Sequence, residues 1–167
     1  MSSTTIGILS DTHQTRLTPD FQEKVKRCFS KVDIILHAGD LTSPDILAAF
    51  TGLGKIHAVH GNMCDTASRR LLPRRLELDI NGFKIGLIHK CVSQAYDFEA
   101  ELLDEFGPID CIIYGHTHRP VCHRLGETLI INPGAFMSSG RFGAPGTYAI
   151  LKADQDLQAE IYEVPRR

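Results

Sequence analysis

Seven residues that follow short apolar runs have the types and spacing of a metal site: Asp11, His13, Asp40, Asn62, His89, His116 and His118. They stand in Ser10-Asp11-Thr12-His13, Gly39-Asp40, Gly61-Asn62, at His89 directly after Ile88, and in Gly115-His116-Thr117-His118. Two donors spaced i, i+2 in an extended loop project to one side roughly 6 to 7 Å apart, so Asp11/His13 and His116/His118 are each expected to serve one site. The glycines before Asp40, Asn62 and His116 predict that the backbone turns tightly and comes close to whatever is bound. Imidazole, carboxylate and amide donors together favour borderline or hard divalent cations over a thiolate zinc or iron–sulfur site.

The charge balance points to phosphate. Two dications contribute about +4, and Asp11, Asp40 and a bridging hydroxide remove about 3, which leaves an anion trap of roughly +1. Two cations about 3.5 to 4 Å apart can share a hydroxide and stabilise the oxygens of an in-line displacement at phosphorus. A single histidine at a strand end is more often structural, so the weight lies on the ordered set. His37, inside the apolar run before Gly39-Asp40, is read as a packed core residue, and His57, His60 and His123 as surface or strand residues. Cys64 is read as a bystander, and Asn132 and Gly134 as shaping a turn behind the site. Gly140, Gly143 and Gly146 are read as a surface loop.

The elements that must position these donors follow from the apolar pattern. Runs at Ile6–Ser10, Ile34–Ala38 and Ile56–His60, separated by helical segments Pro19–Phe29 and Pro44–Phe50, predict a βαβαβ unit with parallel strands buried on both faces. Thr18 and Ser43 each precede a proline at a first helical position, marking the helix starts. Asn81-Gly82 between Leu76–Ile80 and Phe83–Ile88 predicts a tight hairpin. A helix over Ala95–Phe106 and strands at Cys111–Tyr114, Val121–Arg124, Thr128–Asn132, Thr147–Lys152 and Gln158–Val164 complete an α/β fold of two packed mixed sheets flanked by helices. The donors fall after five strands, where open parallel sheets bind ligands. A length of 167 residues is read as one domain over 1–167.

Composition narrows the partners. A net charge of −2 argues against broad capture of nucleic acid, and no aromatic and basic groove is visible. The run Arg69-Arg70-Leu71-Leu72-Pro73-Arg74-Arg75 is read as a solvated loop face with a minor role in attracting anions. There is no signal-peptide pattern and no apolar run near the roughly 18 residues of a spanning helix, so no membrane contact and a cytoplasmic location are expected. Five cysteines without a C-x-x-C pair are expected to be reduced. An oligomer is compatible with all of this.

The ordered motifs Asp-x-His, Gly-Asp, Gly-Asn, His and Gly-His-x-His resemble those of the calcineurin-like metallophosphoesterase superfamily and cover residues 11 to 118. The compact length and Ile131-Asn132-Pro133-Gly134 are most similar to the small bacterial and archaeal phosphodiesterases of the YfcE type. The resemblance implies an αββα sandwich. It implies that Asp11, His13, Asp40 and His118 hold a first metal and Asp40, Asn62, His89 and His116 a second, with Asp40 bridging. Asp40, Asn62 and His89 would then stand nearest the reacting phosphate. Manganese is the expected ion, with zinc, iron or nickel as alternatives, and a small phosphodiester the expected substrate. Two positions depart from the wider pattern: Met63, where many members carry a histidine that protonates the leaving oxygen, and Lys90-Cys91, where Gly-His is common. The retromer small subunit is similar in fold and acts as a binding scaffold, which makes a non-enzymatic scaffold the competing expectation. An eroded donor set would mark that case.

Overall fold

The computed structural model describes residues 3–90, 98–137 and 144–166. In chain order its elements are β1 (Thr4–Leu9), α1 (Pro19–Phe29), β2 (Ile34–His37), a 3-10 helix (Pro44–Phe50), β3 (Lys55–Ala58), α2 (Thr66–Leu71), β4 (Arg75–Ile80), β5 (Phe83–Ile88), α3 (Phe98–Phe106), β6 (Cys111–Ile113), β7 (Val121–Leu125), β8 (Thr128–Asn132), β9 (Thr147–Ala153) and β10 (Leu157–Glu163). They form two five-stranded mixed sheets, ordered β10-β9-β1-β2-β3 and β4-β5-β6-β8-β7. The α/β class with two packed mixed sheets is the one read from the sequence.

Three apolar layers hold the sandwich. Between the sheets lie Ile6, Ile8 and Leu36 from one and Ile85, Leu87, Ile113 and Ile131 from the other. On the outer face of the first sheet Phe21, Phe29 and Phe50 cover Leu9 and Ile35, and on that of the second Leu102 covers Ile112 and Ile130. Strands covered on both sides have no room for polar alternation, which is why β1, β2 and β6 read as continuous apolar runs.

Local chemistry sets the element ends. Thr18 Oγ1 accepts from the Phe21 N–H at 3.2 Å and Ser43 Oγ from the Asp45 N–H at 3.3 Å. The segment after Ser43 is a 3-10 helix, because its N–H groups reach only three residues back, as in Ile46 to Ser43 at 3.4 Å and Thr51 to Ala48 at 3.3 Å. Asn81 (φ 54°) and Gly82 (φ 84°) make the left-handed turn that joins Ile80 to Phe83. The Asn81 amide also donates to Thr4 Oγ1 at 3.0 Å and to the Ala153 carbonyl at 2.8 Å, tying the hairpin to the opposite sheet.

Two readings change. The basic run is solvated but only partly a loop: Arg69 and Arg70 lie on α2, whose first turn is capped by Asp65 Oδ1 accepting from Ser68 N at 2.7 Å, Leu72, Pro73 and Arg74 form the connection, and Arg75 opens β4. A helix of six residues has too few turns to show apolar periodicity, so no pattern announced it. Gly146 is buried, not a surface residue, and its carbonyl accepts from Val164 N at 2.8 Å. Gly140, Gly143, Cys91 and the expected first turn of α3 at 95–97 lie outside the described residues. Among the described residues no helix is long and apolar enough to cross a membrane, and Cys28, Cys64, Cys111 and Cys122 are free thiols.

Candidate metal centre

The parallel order β1-β2-β3 carries the first three motifs to one edge, and β5 beside β6 brings the last two to the same place. The loops after β1 and β2 are zipped together, with Asp11 N donating to the Gly39 carbonyl and His13 N to the Asp40 carbonyl, both at 3.0 Å. This forces unusual backbone. Asp11, His13, Asp40, His116 and His118 have φ of 53°, 48°, 54°, 69° and 59°, all left-handed. Asp11 and His13 therefore converge through left-handed turns and not through the extended loop that the spacing suggested. Each such non-glycine residue costs roughly 1 to 2 kcal/mol and persists only where its surroundings dictate it. Accordingly, metal-free His13→Gly is expected to be about 1 kcal/mol more stable than His13→Ala in urea unfolding, since only glycine relieves the turn. Equal stabilities would show that the turn holds no strain.

The donor atoms face one another in two groups. Asp11 is buried, and its Oδ2 accepts from Ser10 Oγ at 2.6 Å and from His116 N at 3.0 Å. Its Oδ1 is left facing His118 Nε2 at 3.1 Å and His13 Nε2 at 3.6 Å, with the two imidazole nitrogens 3.3 Å apart. Asp40 repeats the arrangement: Oδ1 accepts from Met63 N at 2.7 Å, and Oδ2 faces His89 Nε2 at 3.1 Å. His89 Nδ1 lies 2.9 Å from the Ala38 carbonyl, which can only accept, so Nδ1 carries a proton and, in the neutral tautomer, the lone pair is on Nε2 and points inward. That lone pair meets Asp40 Oδ2 and, at 3.1 Å, Asn62 Oδ1. With the ring neutral, three acceptors share this space. The ligand atoms of Asp11, His13 and His118 lie within 4.8 Å of one another, as do those of Asp11, Asp40 and His89. The His116 ring stands 5.3 Å from that of His89, centroid to centroid.

The electrostatics follow from these contacts. Burial alone would raise the Asp11 pKa, but the His13 hydrogen bond, the nearby His89 and His118 and the Ser10 hydroxyl outweigh it and bring it from 3.8 to about 2. Burial likewise opposes ionisation of Asp40, and the His89 contact together with the Met63 N–H turns the balance downward. His116 is lowered, first by burial and then by its neighbours His89 and Lys90. Two carboxylate anions, each with one oxygen held by the protein, and imidazoles that present lone pairs once deprotonated form a donor set that fits divalent cations.

The calcineurin-like phosphoesterase superfamily domain matches residues 5–156. The chain belongs to this superfamily. It is 37% identical over 158 residues to a probable metallophosphoesterase of Methanothermobacter thermautotrophicus, a match spanning 93% of this chain and 90% of the relative. It is 33% identical over 104 residues to the phosphodiesterase YfcE of Escherichia coli, spanning 60% of this chain and 54% of that one. The structure of Vacuolar Protein Sorting 29 from Cryptosporidium parvum superposes with a TM-score of 0.71 over 98% of this chain and 99% of the other, at 17% identity. The last likeness shows the fold alone.

In this superfamily member, groups behind the donors hold their loops together, as expected for Asn132 and beyond what was expected of His37 and Cys64. His37 is fully buried, as a core residue should be, yet it is a strut: Gly39 N donates to its Nδ1 at 3.2 Å, so its Nε2–H donates to Thr12 Oγ1 at 3.1 Å. It thereby joins the loop of Asp11 and His13 to that of Asp40. A histidine placed just before Gly-Asp was the available signal. The Asn132 amide donates to the Gly115 carbonyl at 2.9 Å and to Thr117 Oγ1 at 3.1 Å, and its Oδ1 accepts from Gly134 N at 2.9 Å, which braces the turn behind His116 and His118. Cys64 Sγ accepts from Gly61 N at 3.3 Å, so this thiol shapes the Asn62 loop. A Cβ at Gly61 would fall on Asp40 Oδ1, and one at Gly115 on Ser10 Oγ. Close backbone approach is the reason for glycine at both. His57 is half-buried in β3, and His123 is exposed and pairs with Glu99 at 2.7 Å. His60, by contrast, lines a cleft at the site with Gly61, Asn62, Arg69, Arg74, His89 and Lys90.

Proposed function

We propose that this superfamily member is a phosphodiesterase that works with two divalent cations. Asp11, His13, Asp40 and His118 would hold the first and Asp40, Asn62, His89 and His116 the second. The observation that carries this reading is the meeting of Asp40 Oδ2 and Asn62 Oδ1 at His89 Nε2, each 3.1 Å from that nitrogen, beside the group of Asp11, His13 and His118. Acceptors crowded in this way repel one another unless a cation sits among them. When bound, such a pair supplies an activated water and positive charge for the phosphate oxygens.

The chain's own residues define the rest. Asp40, Asn62 and His89 stand nearest the reacting phosphate, with the Met63 N–H and the Ala38 carbonyl fixing two of them in place. Met63 is 59% exposed beside Asn62, and its thioether has no proton to give a departing oxygen. Loss of general-acid help, worth about 10² to 10⁴ in rate, bears hardest on poor leaving groups, which favours diesters with acidic alcohols. Manganese is the ion of the proposal, and zinc, iron and nickel are its competitors for the same nitrogen and oxygen donors. A single domain working in the cytoplasm, with reduced thiols, completes the reading.

The purified protein, stripped of metal, is expected to leave bis-p-nitrophenyl phosphate intact and to cleave it after manganese is added. Cation uptake without turnover would overturn the hydrolytic reading, and absence of uptake would favour a binding scaffold.

A further inference from the structure

The cleft beside the donor cluster is lined by three cations and, among the described residues, by no carboxylate. It measures about 180 Å³ and is bounded by His60, Gly61 and Asn62 after β3, Arg69 of α2, Arg74 just before β4, and His89 and Lys90 after β5. Asn62 and His89 belong to the cleft and to the proposed metal site alike, so the two spaces are continuous. Arg69 is anchored, its Nε donating to the Cys64 carbonyl at 3.0 Å and its Nη2 to the Asn62 carbonyl at 2.6 Å, which leaves Nη1 uncommitted by these bonds. The Arg74 guanidinium leans on Glu105 through Nη2 and keeps its side chain 43% exposed. Lys90 is half-buried and has no ion-pair partner among the described residues. An arginine clamped by backbone carbonyls keeps its remaining N–H groups in a fixed direction, which suits a planar or tetrahedral anion.

We propose that this cleft binds a second anionic group of the substrate, a phosphate or carboxylate carried on one arm of the diester. The inference rests on the hydrolytic reading for the position of the reacting phosphate and adds the substrate class: diesters with a charged arm. The size supports it, since the cleft lies below the roughly 300 to 1,000 Å³ of sites that enclose a whole drug-sized ligand and suits one compact charged group. The charge supports it too, because an uncharged arm would leave Arg69, Arg74 and Lys90 with no counter-ion beyond Glu105 among the described residues.

The test compares two p-nitrophenyl phosphodiesters, one with an ethyl second arm and one with a 2-(phosphonooxy)ethyl arm, on the manganese-loaded protein. The kcat/KM ratio should favour the charged arm by at least about tenfold, as hydrogen bonds to charged groups do. It should shrink as salt is raised. Arg74→Gln and Lys90→Gln should bring the ratio close to one, and Arg70→Gln, which does not line the cleft, should leave it at the parent value. Because the readout is a ratio, a general loss of folding or metal cancels. Turnover of both substrates with a ratio near one in the parent, or an unchanged ratio in both cleft variants, would overturn the proposal while leaving the hydrolytic reading intact. If neither is hydrolysed, the same ratio is read as relative affinity by calorimetry, with the same expectations, so the two readings fail separately.

Discussion

Asp40→Ala is expected to bind fewer cations than the parent and to show no metal-dependent turnover. Asp40 contributes one free oxygen, Oδ2, beside His89, while its other oxygen is held by the Met63 N–H at 2.7 Å. Removing the carboxylate takes away the donor assigned to both cations and at the same time unpins the loop that carries Asn62. Metal-linked stabilisation gives an independent readout. A cation at 100 times its dissociation constant stabilises by about 2.7 kcal/mol per site, or roughly 5 to 10 °C in melting temperature for a chain of this size. The parent should show that rise on adding manganese and Asp40→Ala should not. Asp40→Asn separates charge from shape, because its amide oxygen can still accept from Met63 N. It should keep the apo melting temperature and lose the metal-induced rise. A fully metallated and active Asp40→Ala protein would remove Asp40 from the site.

His37 should make the metal-free protein acid-sensitive. Burial pushes its pKa from 6.5 down to about 4, against the smaller upward pull of Asp11 and Asp40. Unfolded, the ring takes a proton below 6.5; folded, it does so only below about 4. Between those values the unfolded chain binds more protons, so stability rises with pH and falls on acidification. Over the whole window the loss is about 3 kcal/mol. Asp11 and Asp40, whose pKa values are lowered, add their own losses only at lower pH, below the ordinary carboxylate value of 3.8. His37→Gln can still accept from Gly39 N and donate to Thr12, and it does not titrate. Its stability should be much flatter from pH 6.5 to 4, with the contributions of other histidines common to both proteins. His37→Leu orphans a buried N–H and should cost about 1 to 3 kcal/mol at neutral pH. Equal pH slopes for the parent and His37→Gln, from urea unfolding with chelator present, would refute the role given to this ring.

The expected class of chemistry and most of the frame were legible in residues close together along the chain. Asp, Asn and His placed directly after apolar runs are local facts, and so are the proline-marked helix starts at Thr18 and Ser43 and the Asn81-Gly82 turn. Each depends on neighbours within a few residues, which is why each could be read from one chain. How the donors meet depends on contacts between distant segments. The left-handed backbone at Asp11, His13, Asp40, His116 and His118 is imposed by the pairing of loops distant in sequence, and it replaced the extended geometry inferred from spacing. The same holds for His37, whose two hydrogen bonds span two loops, and for Arg69 and Arg74, which α2 and the start of β4 turn toward Asn62 and Lys90. Spacing along a strand can say which side chains are available. Only the order of strands in the two sheets says which of them share a space.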